Sequence, residues 1–298
     1  MGDTVLLTGA AGQIGAHLGR FLRQKDYTVT ALDLNVSPEG TADESLVCDI
    51  LDPDTLHRIL GAKVFSAVIR LAAAVAPTEL PDELVFRTNV TGTYNILRAV
   101  RLKPGGRIVY MSSESVLGFA FAKRPLKPAF VPIDETHPLR AHDAYGLSKL
   151  LGEKICEAYH LETGAPVISL RPPWVWIPEK IERYKSLIEH PEEWAHGLWA
   201  YVAIEDLCEA VYAALTANAD KFPLSLFIAA EDNGTRVPST VLLERFYGFR
   251  GPYRPGFEGC SSVISPERAY RLLAWKAQWG WREWMVAHGA ALTGESET

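Results

Sequence analysis

The chain has 298 residues, of which 48% are hydrophobic and 22% are charged, which predicts a globular protein with a large buried core. Its formal net charge of −6 provides no basic field, so nucleic acid is not expected as a partner and a small-molecule ligand is favoured.

Three further features narrow the class of protein. No apolar run approaches the ~20 residues that cross a bilayer, and no charged-then-apolar leader precedes the first strand, so we expect a cytoplasmic protein without membrane contact. The cysteines lack the C-x-x-C spacing of zinc sites. His137 and His142, the nearest pair of histidines, have no third ligand beside them in their proline-rich loop. We therefore expect no metal site.

The first fifteen residues predict a strand, a tight turn and a helix. An aliphatic run at 4–7 leads into Gly9, Gly12 and Gly15. Glycine lets backbone amides approach a pyrophosphate, which the start of the following helix attracts. The spacing is G-x-x-G-x-x-G rather than the commoner G-x-G-x-x-G, so an ordinary turn is the alternative. The residues predicted here to bind the cofactor are Gly9, Gly12, Gln13, Ile14 and Gly15.

An acidic residue at the end of the second predicted strand indicates which dinucleotide is bound. The strand at 28–32 ends at Asp33, 18 residues beyond Gly15. A carboxylate at this position accepts hydrogen bonds from the ribose hydroxyls of adenosine and repels a 2′-phosphate. The sequence therefore predicts NAD rather than NADP, with Asp33 and Leu34 at the cofactor.

Strands and helices continue to alternate along the first half of the chain. Strands are predicted at 46–48, 65–69 and 107–111, and helices at 53–60 and 81–102. This alternation predicts an α/β fold with a doubly wound parallel sheet of the Rossmann type, which binds ligands at the carboxyl ends of its strands. Small residues after the 65–69 strand allow a ligand to approach. Leu71, Ala72 and Ala73 are predicted to contact the cofactor, and Ala74 the substrate.

Tyr145 and Lys149 lie four residues apart in a helix predicted to begin near Asp143, and so share a face. Beside a nicotinamide, a lysine cation lowers the pKa of the tyrosine hydroxyl, so that the tyrosine exchanges a proton with an alcohol while hydride moves to or from the cofactor. An incidental pair on a surface helix is the alternative. The glycine turn, Asp33 and the serines at 112–115 favour the catalytic interpretation.

Together these motifs resemble the extended short-chain dehydrogenase/reductase family, and within it the NAD-dependent epimerase/dehydratase group. The resemblance covers residues 1 to about 171 and is carried by Thr8-Gly9-x-x-Gly12-x-x-Gly15, Asp33, Asp49, Asn89, Ser112-Ser113 and Tyr145-x-x-x-Lys149. It implies NAD as the cofactor. It also implies a homodimer, because two helices of this fold commonly form a dimer interface in that family.

The resemblance assigns roles to individual residues. It implies that Tyr145 is the catalytic acid/base, that Lys149 also holds the nicotinamide ribose, and that the Ser113 hydroxyl bonds the reacting oxygen. Arg70 departs from the histidine common near that position. The remaining cofactor positions that it implies are Asp49 and Ile50, at the adenine, and Asn89, which supports the lysine through water.

Departures from the family's patterns narrow the reaction. Sugar-nucleotide dehydratases carry an Asp-Glu pair where this chain has Glu114 and Ser115, so dehydration is less expected, and we place both residues at the substrate. Nucleotide-sugar epimerases tend to carry an Asn-x-x-Gly-Pro segment that is absent from the corresponding residues of this chain, 171–178, which weakens the case for epimerisation of a nucleotide sugar. The chain is also similar to uronate dehydrogenases, in which arginine binds the substrate carboxylate. In that comparison Arg183 is the corresponding residue, with a solvated helical face as the alternative.

The second half has a distinct composition, because all eight tryptophans follow residue 171. Trp174 and Trp176 are predicted to line the substrate pocket, and residues 191–199 to form a lid. A helix at 204–217 and a strand at 226–230 are expected to return to the main sheet. We therefore divide the chain into an NAD-binding domain, residues 1–171, and a mainly substrate-binding region, residues 172–298, which interleaves with it through about 204–230.

These features predict an NAD-dependent oxidoreductase that removes hydride from a secondary alcohol or hemiacetal of a sugar or sugar acid. One alternative is a sugar or nucleotide-sugar epimerase that keeps its cofactor and returns the hydride to the other face. Another, from a different class, is a binding protein that reports NAD occupancy to a partner. Proteins of that kind generally lack the Tyr/Lys pair.

Overall fold

A parallel β-sheet forms the centre of the molecule. The computed structural model describes residues 3–74, 80–218 and 222–290. Its strands are β1 (Thr4–Thr8), β2 (Thr28–Asp33), β3 (Glu44–Val47), β4 (Phe65–Arg70), β5 (Leu102–Met111), β6 (Val167–Arg171), β7 (Trp174–Trp176), β8 (Tyr201–Ala203) and β9 (Leu224–Phe227). Seven of them form one sheet in the order β3-β2-β1-β4-β5-β6-β9, with every neighbouring pair parallel, while β7 and β8 form a small parallel pair.

Helices cover both faces of this sheet. The α-helices are α1 (Gln13–Gln24), α2 (Pro53–Leu60), α3 (Asp82–Ala99), α4 (Ala144–Thr163), α5 (Ile181–Glu189), α6 (Ile204–Thr216), α7 (Ser239–Tyr247), α8 (Glu267–Leu273) and α9 (Trp281–Ala287). Successive strand residues point to opposite faces. In β1, Leu7 packs with residues of α1, α6 and α8, whereas Leu6 packs with residues of α2, α3 and α4. Because both faces are buried, the central strands are almost wholly apolar. The predicted doubly wound fold is confirmed.

Side-chain caps determine where two of these helices begin. The Asp52 carboxylate accepts a hydrogen bond from the Thr55 amide at the start of α2, and Pro53 occupies the first turn. Asp143 accepts one from the Gly146 amide at the start of α4, and Gly164 ends that helix in the left-handed conformation. The second cap sets the position of Tyr145 and Lys149.

The second half packs as an aromatic cluster beside the main sheet. The Trp176 ring stacks on Tyr184 and Tyr201 at centroid distances of 4.6 and 4.4 Å. Trp176 is therefore a fully buried core residue and does not line the pocket as predicted. Trp194, Trp199, Trp281 and Trp284 are also fully buried. Between these parts of the cluster, α6 leads the chain back to the main sheet, where β9 pairs with β6. The division at residue 171 stays a prediction.

The predicted boundaries of α3, β5 and β9 differ from those in the structure. The helix expected to reach Leu102 ends at Ala99, because Val100 is extended and Leu102 pairs with Phe65 as β5 begins. The strand expected at 226–230 lies at Leu224–Phe227. Pairing with distant strands decided both ends. Among the described helices, none is long and apolar enough to cross a membrane.

Candidate active site

A cavity of about 1130 Å³ lies at the carboxyl ends of the central strands. Binding pockets commonly measure roughly 300–1,000 Å³, so this volume leaves room for a dinucleotide and a second molecule. The predicted site residues that line it are Gly9, Gly12, Gln13, Ile14, Gly15, Asp33, Leu34, Asp49, Ile50, Leu71, Ala72, Ala73, Ala74, Ser113, Glu114, Ser115, Tyr145, Lys149 and Trp174. Asn89, Trp176 and Arg183 are the predicted residues that do not.

The glycine turn between β1 and α1 is packed too closely for side chains. Gly9 has φ +76°, and a Cβ atom on it would lie 2.6 Å from the backbone of Ala72. A Cβ atom on Gly15 would lie 2.1 Å from the Gly9 carbonyl oxygen. Gly12 precedes α1 without a side-chain cap. The turn therefore presents backbone and the positive end of the helix dipole to the cavity, which suits a pyrophosphate.

Asp33 connects the ends of β1 and β2 at the rim of the cavity. Its Oδ2 accepts a hydrogen bond from the Ala11 amide at 3.0 Å, and its Oδ1 accepts one from the Asn35 amide at 3.3 Å. These bonds hold the carboxylate beside the glycine turn. Its negative charge opposes a phosphate at this point, as the preference for NAD requires.

Tyr145 and Ser113 meet across the cavity from different elements. Tyr145 lies in the first turn of α4, and Ser113 follows β5, where its hydroxyl accepts a hydrogen bond from the Ser115 amide at 3.1 Å. Burial and the nearby Glu114 carboxyl raise the pKa of Tyr145, and a hydrogen bond with Ser113 opposes that rise. The two neighbouring hydroxyl groups can both form hydrogen bonds with one substrate oxygen.

Lys149 is held under Tyr145 by the backbone. Its Nζ donates a hydrogen bond to the Met111 carbonyl at 2.8 Å and lies 5.5 Å from the centre of the Tyr145 ring. Burial and the charge of Arg70 lower the pKa of Lys149 to about 7, against an opposing effect of Glu153. Burial therefore dominates the pKa of both the lysine and the tyrosine, and the spacing of the pair could not indicate this effect.

Asn89 lies behind the wall of the cavity and stabilises it through hydrogen bonds. It is buried in α3, its Oδ1 accepts a hydrogen bond from the Ala74 amide at 2.8 Å, and its Nδ2 donates one to the Ser148 hydroxyl at 2.9 Å. These bonds connect the segment after β4 to the residue that precedes Lys149. The expected support of the lysine through water stays a prediction.

Arg183 does not reach the cavity. It lies on α5, where its Nη1 pairs with a Glu193 carboxylate oxygen at 2.8 Å, and its side chain is 48% exposed. This is the solvated face that the sequence left as the alternative. The pairing depends on where the helix lies relative to residues 191–197, so spacing from Arg171 could not reveal it.

The segment expected to form a lid, residues 191–199, packs into the wall of the cavity. Residues 191–197 form a short 3-10 helix in which Trp194 is fully buried, and the indole of the buried Trp199 donates a hydrogen bond to the Pro191 carbonyl at 2.8 Å. Trp194, His196 and Gly197 line the cavity together with Trp174, whose ring centre lies 6.0 Å from that of Trp194. Sequence reasoning missed His196, which has no motif around it.

A buried ion pair behind the site also went unpredicted. Glu153 of α4 accepts hydrogen bonds from Nε and Nη2 of Arg171 at 2.8 and 2.7 Å, and from the Ser112 hydroxyl at 2.5 Å. The side chains of Arg171 and Glu153 are 5% and 2% exposed. The pair anchors the helix that carries Tyr145 to the ends of β5 and β6. The one feature of the sequence that could have indicated this pair is Arg171, a charged residue at the end of the apolar strand β6.

Comparisons with known proteins agree with this geometry. Uronate dehydrogenase from Pseudomonas syringae pv. tomato is 31% identical over 171 residues, which cover 57% of this chain and 58% of that protein, so the match spans little more than half of the relative. UDP-glucose 4-epimerase 4 from Oryza sativa subsp. japonica is 28% identical over 336 aligned positions, which cover 94% of this chain and 87% of the epimerase.

A solved structure shares the fold over almost the whole chain. A short-chain dehydrogenase/reductase superfamily protein from Agrobacterium tumefaciens, with bound NAD, aligns with a TM-score of 0.70 and 22% identity and covers 96% of this chain and 95% of that one. The model of the NAD dependent epimerase/dehydratase family matches residues 5–225. This match confirms the predicted family and its cofactor, NAD. The chain belongs to the NAD dependent epimerase/dehydratase family.

Proposed function

We propose that the protein oxidises a secondary alcohol or hemiacetal carbon of a sugar, with NAD as the hydride acceptor. The observation that carries the proposal is the convergence of Tyr145, Ser113 and Lys149 on one cavity beside the glycine turn. Three groups of the kinds needed for proton transfer and oxygen binding lie where the second molecule has room.

The residues of the cofactor half fit NAD. Close packing at Gly9 and Gly15 leaves backbone to face the pyrophosphate, Asp33 suits the ribose hydroxyls, and Asp49 and Ile50 line the adenine end. When bound, NAD supplies the acceptor for the hydride that leaves the substrate carbon.

Proton transfer is assigned to Tyr145. Its hydroxyl oxygen takes the proton of the substrate hydroxyl as the carbon–oxygen double bond forms, and Ser113 donates a hydrogen bond to the same substrate oxygen. Lys149, fixed by the Met111 carbonyl, holds its charge below the tyrosine ring. The protonated form of Lys149, which is populated below its pKa of about 7, favours the deprotonated form of the tyrosine that accepts the proton.

The test is NADH absorbance with purified protein, NAD and a panel of free sugars, uronic acids and nucleotide sugars. We expect NADH to accumulate with one class of substrate, and Tyr145→Phe to lower the turnover at least ~10²-fold while NAD binding persists. Tyr94→Phe removes one hydroxyl group from an exposed tyrosine of α3 and serves as the matched control. Unchanged turnover in Tyr145→Phe would rule out the assignment.

A second candidate is epimerisation, in which the hydride returns to the other face of the same carbon. The near-complete match to a UDP-glucose 4-epimerase supports it, because that match includes the second half of the chain. An epimerase would convert a nucleotide sugar to its isomer, detected by NMR, without accumulating NADH. A homodimer and a cytoplasmic location stay predictions.

A further inference from the structure

One cation on the wall of the cavity takes no part in the proton transfer described above. Among the described residues that line the cavity, Lys149 and Lys180 are the only lysines, and none is an arginine. Lys149 donates a hydrogen bond to the Met111 carbonyl below the tyrosine. The Lys180 amine has no hydrogen-bond or ion-pair partner within the part of the chain that the structure describes. Lys180 is therefore the lysine that remains available to an anion in the cavity.

A contact with α1 places Lys180 at the cofactor half of the cavity. Lys180 ends a short 3-10 helix, Pro178–Lys180. The carboxylate of its neighbour Glu179 accepts a hydrogen bond from Nε2 of His17 at 3.0 Å. His17 lies about one helical turn after Gln13, the residue of α1 that lines the cavity beside the glycine turn. The segment that carries Lys180 is thereby held against the end of α1 that faces the pyrophosphate.

Apolar packing fixes the backbone of this segment. Ile177 is buried and belongs to the same apolar cluster as Ile14 of α1, and both residues also line the cavity. The Lys180 amide donates a hydrogen bond to the Ile177 carbonyl at 3.1 Å. The side chain of Lys180 is exposed, and its four-carbon stem is flexible. A fixed backbone thus carries a mobile charge at the rim of the cofactor half.

Nearby carboxylates do not neutralise this charge. Both carboxylate oxygens of Glu179 lie within 3.3 Å of the His17 ring. The carboxylates of Asp33 and Asp49 accept hydrogen bonds from backbone amides. The pyrophosphate of a dinucleotide is a dianion, to which the glycine turn offers neutral backbone groups and the partial charge of a helix end. A lysine on the facing wall supplies the full charge that the turn lacks.

We infer that Lys180 binds the pyrophosphate of NAD, so that the cofactor is held between the glycine turn and the second half of the chain. A lysine ammonium binds phosphate oxygens as a point charge and does not need the fixed geometry of an arginine fork. The inference goes beyond the proposed function, because it gives a role in cofactor binding to a residue of the region predicted to bind the substrate.

Fluorescence titration with NADH tests this contact without any turnover. Lys180→Gln removes the charge from an exposed side chain, so the fold should be retained. We expect the Kd for NADH to rise about tenfold relative to the wild type at low ionic strength. At about 1 M salt the difference should fall below about threefold, because salt screens an exposed pair of charges. Lys180→Arg keeps the charge and should bind NADH within about twofold of the wild type.

Fragments of the cofactor locate the contact. ADP-ribose keeps the pyrophosphate and lacks the nicotinamide, whereas adenosine has no phosphate at all. The affinity of each is measured by isothermal titration calorimetry. Lys180→Gln should weaken ADP-ribose by the same factor as NADH and leave adenosine unchanged. An equal loss for adenosine would reveal a general effect on the cavity and overturn the inference.

A second lysine near the same helix serves as the matched control. Lys185 of α5 does not line the cavity, and its amine pairs with Glu182 at 2.6 Å. Lys185→Gln should leave the Kd for NADH unchanged.

An unchanged Kd for NADH in Lys180→Gln would overturn the inference. If that variant instead raised the KM of acidic substrates alone, Lys180 would belong to the substrate and the cofactor assignment would be wrong. These titrations use no substrate, so their failure leaves the proposed oxidation standing. Failure to oxidise any sugar, with the expected loss of NADH affinity in Lys180→Gln, would overturn the proposed function and support the inference.

Discussion

Removing one partner of the buried pair between Arg171 and Glu153 should destabilise the protein strongly. In Arg171→Met, the Glu153 carboxylate loses both guanidinium bonds and keeps only the Ser112 and Ser225 hydroxyls. Because both charged side chains are almost completely excluded from water, the remaining carboxylate cannot recover its hydration. The substitution retains most of the volume of the arginine, so the effect measured is that of the charge.

The magnitude follows from the burial of the pair. Breaking a buried ion pair by removing one partner costs about 3–5 kcal/mol, whereas exposed pairs contribute about 0–1 kcal/mol. For a domain of this size, 1 kcal/mol corresponds to roughly 2–4 °C in Tm, so we expect Arg171→Met to lower the Tm by roughly 6–20 °C. The matched control, Arg98→Met, breaks an exposed pair with Glu162 and should lower the Tm by less than about 4 °C.

The assay is thermal unfolding followed by circular dichroism at one pH and one protein concentration. Replacing both residues of the buried pair by methionine should recover part of the loss, because no unpaired charge then remains inside. The reasoning is refuted if Arg171→Met is no less stable than Arg98→Met, or if the two single losses simply add in the double variant.

Three further substitutions test the cavity. In Gly15→Ala the added methyl group meets the Gly9 carbonyl oxygen, so the turn must shift. We expect the affinity for NADH, measured by fluorescence titration, to fall at least ~10-fold, and an unchanged affinity would contradict the close packing. Asp33→Asn keeps a hydrogen-bond acceptor for the Ala11 amide but removes the negative charge. The ratio of the Kd for NADP to the Kd for NAD should therefore fall about tenfold or more. An unaltered ratio would show that the charge does not select the cofactor. Since the pKa of Glu114 rises from 4.5 to about 8 on folding, its contribution to stability is present below pH 4.5 and is lost as the pH rises to 8. The unfolding free energy of Glu114→Gln should therefore increase by up to ~5 kcal/mol relative to that of the wild type over that range. A difference in unfolding free energy that does not change with pH would count against the burial of this carboxyl group.

Local spacing was enough to predict which residues lie together in the glycine turn and in the first turns of α4. Gly9, Gly12 and Gly15 belong to one turn, and Tyr145 and Lys149 are one helical turn apart, so short-range geometry fixes the relation within each group. The parallel topology then brings both groups to the same edge of the sheet, because the carboxyl ends of all its strands face one way. The two steps need no knowledge of side-chain packing.

Features that depend on distant partners could not be predicted in this way. The charge of Arg183 is neutralised by Glu193, which belongs to a separate short helix. The end of α3 depends on the pairing of Leu102 with Phe65 in a neighbouring strand. In each case the local pattern was compatible with two structures, and a contact made only in the folded protein selected one of them.

The same distinction explains why the reaction is easier to infer than the substrate. Proton transfer needs a hydroxyl couple beside the cofactor, and Tyr145 and Ser113 come from elements that the parallel fold places together. Discrimination among sugars depends on other side chains of the cavity, such as Glu114, Trp174 and His196, which come from three separate segments. A substitution at any one of them would change the contacts made with a substrate while leaving the proton transfer groups in place. Substrate preference in this fold can therefore diverge through single substitutions at positions that no motif marks.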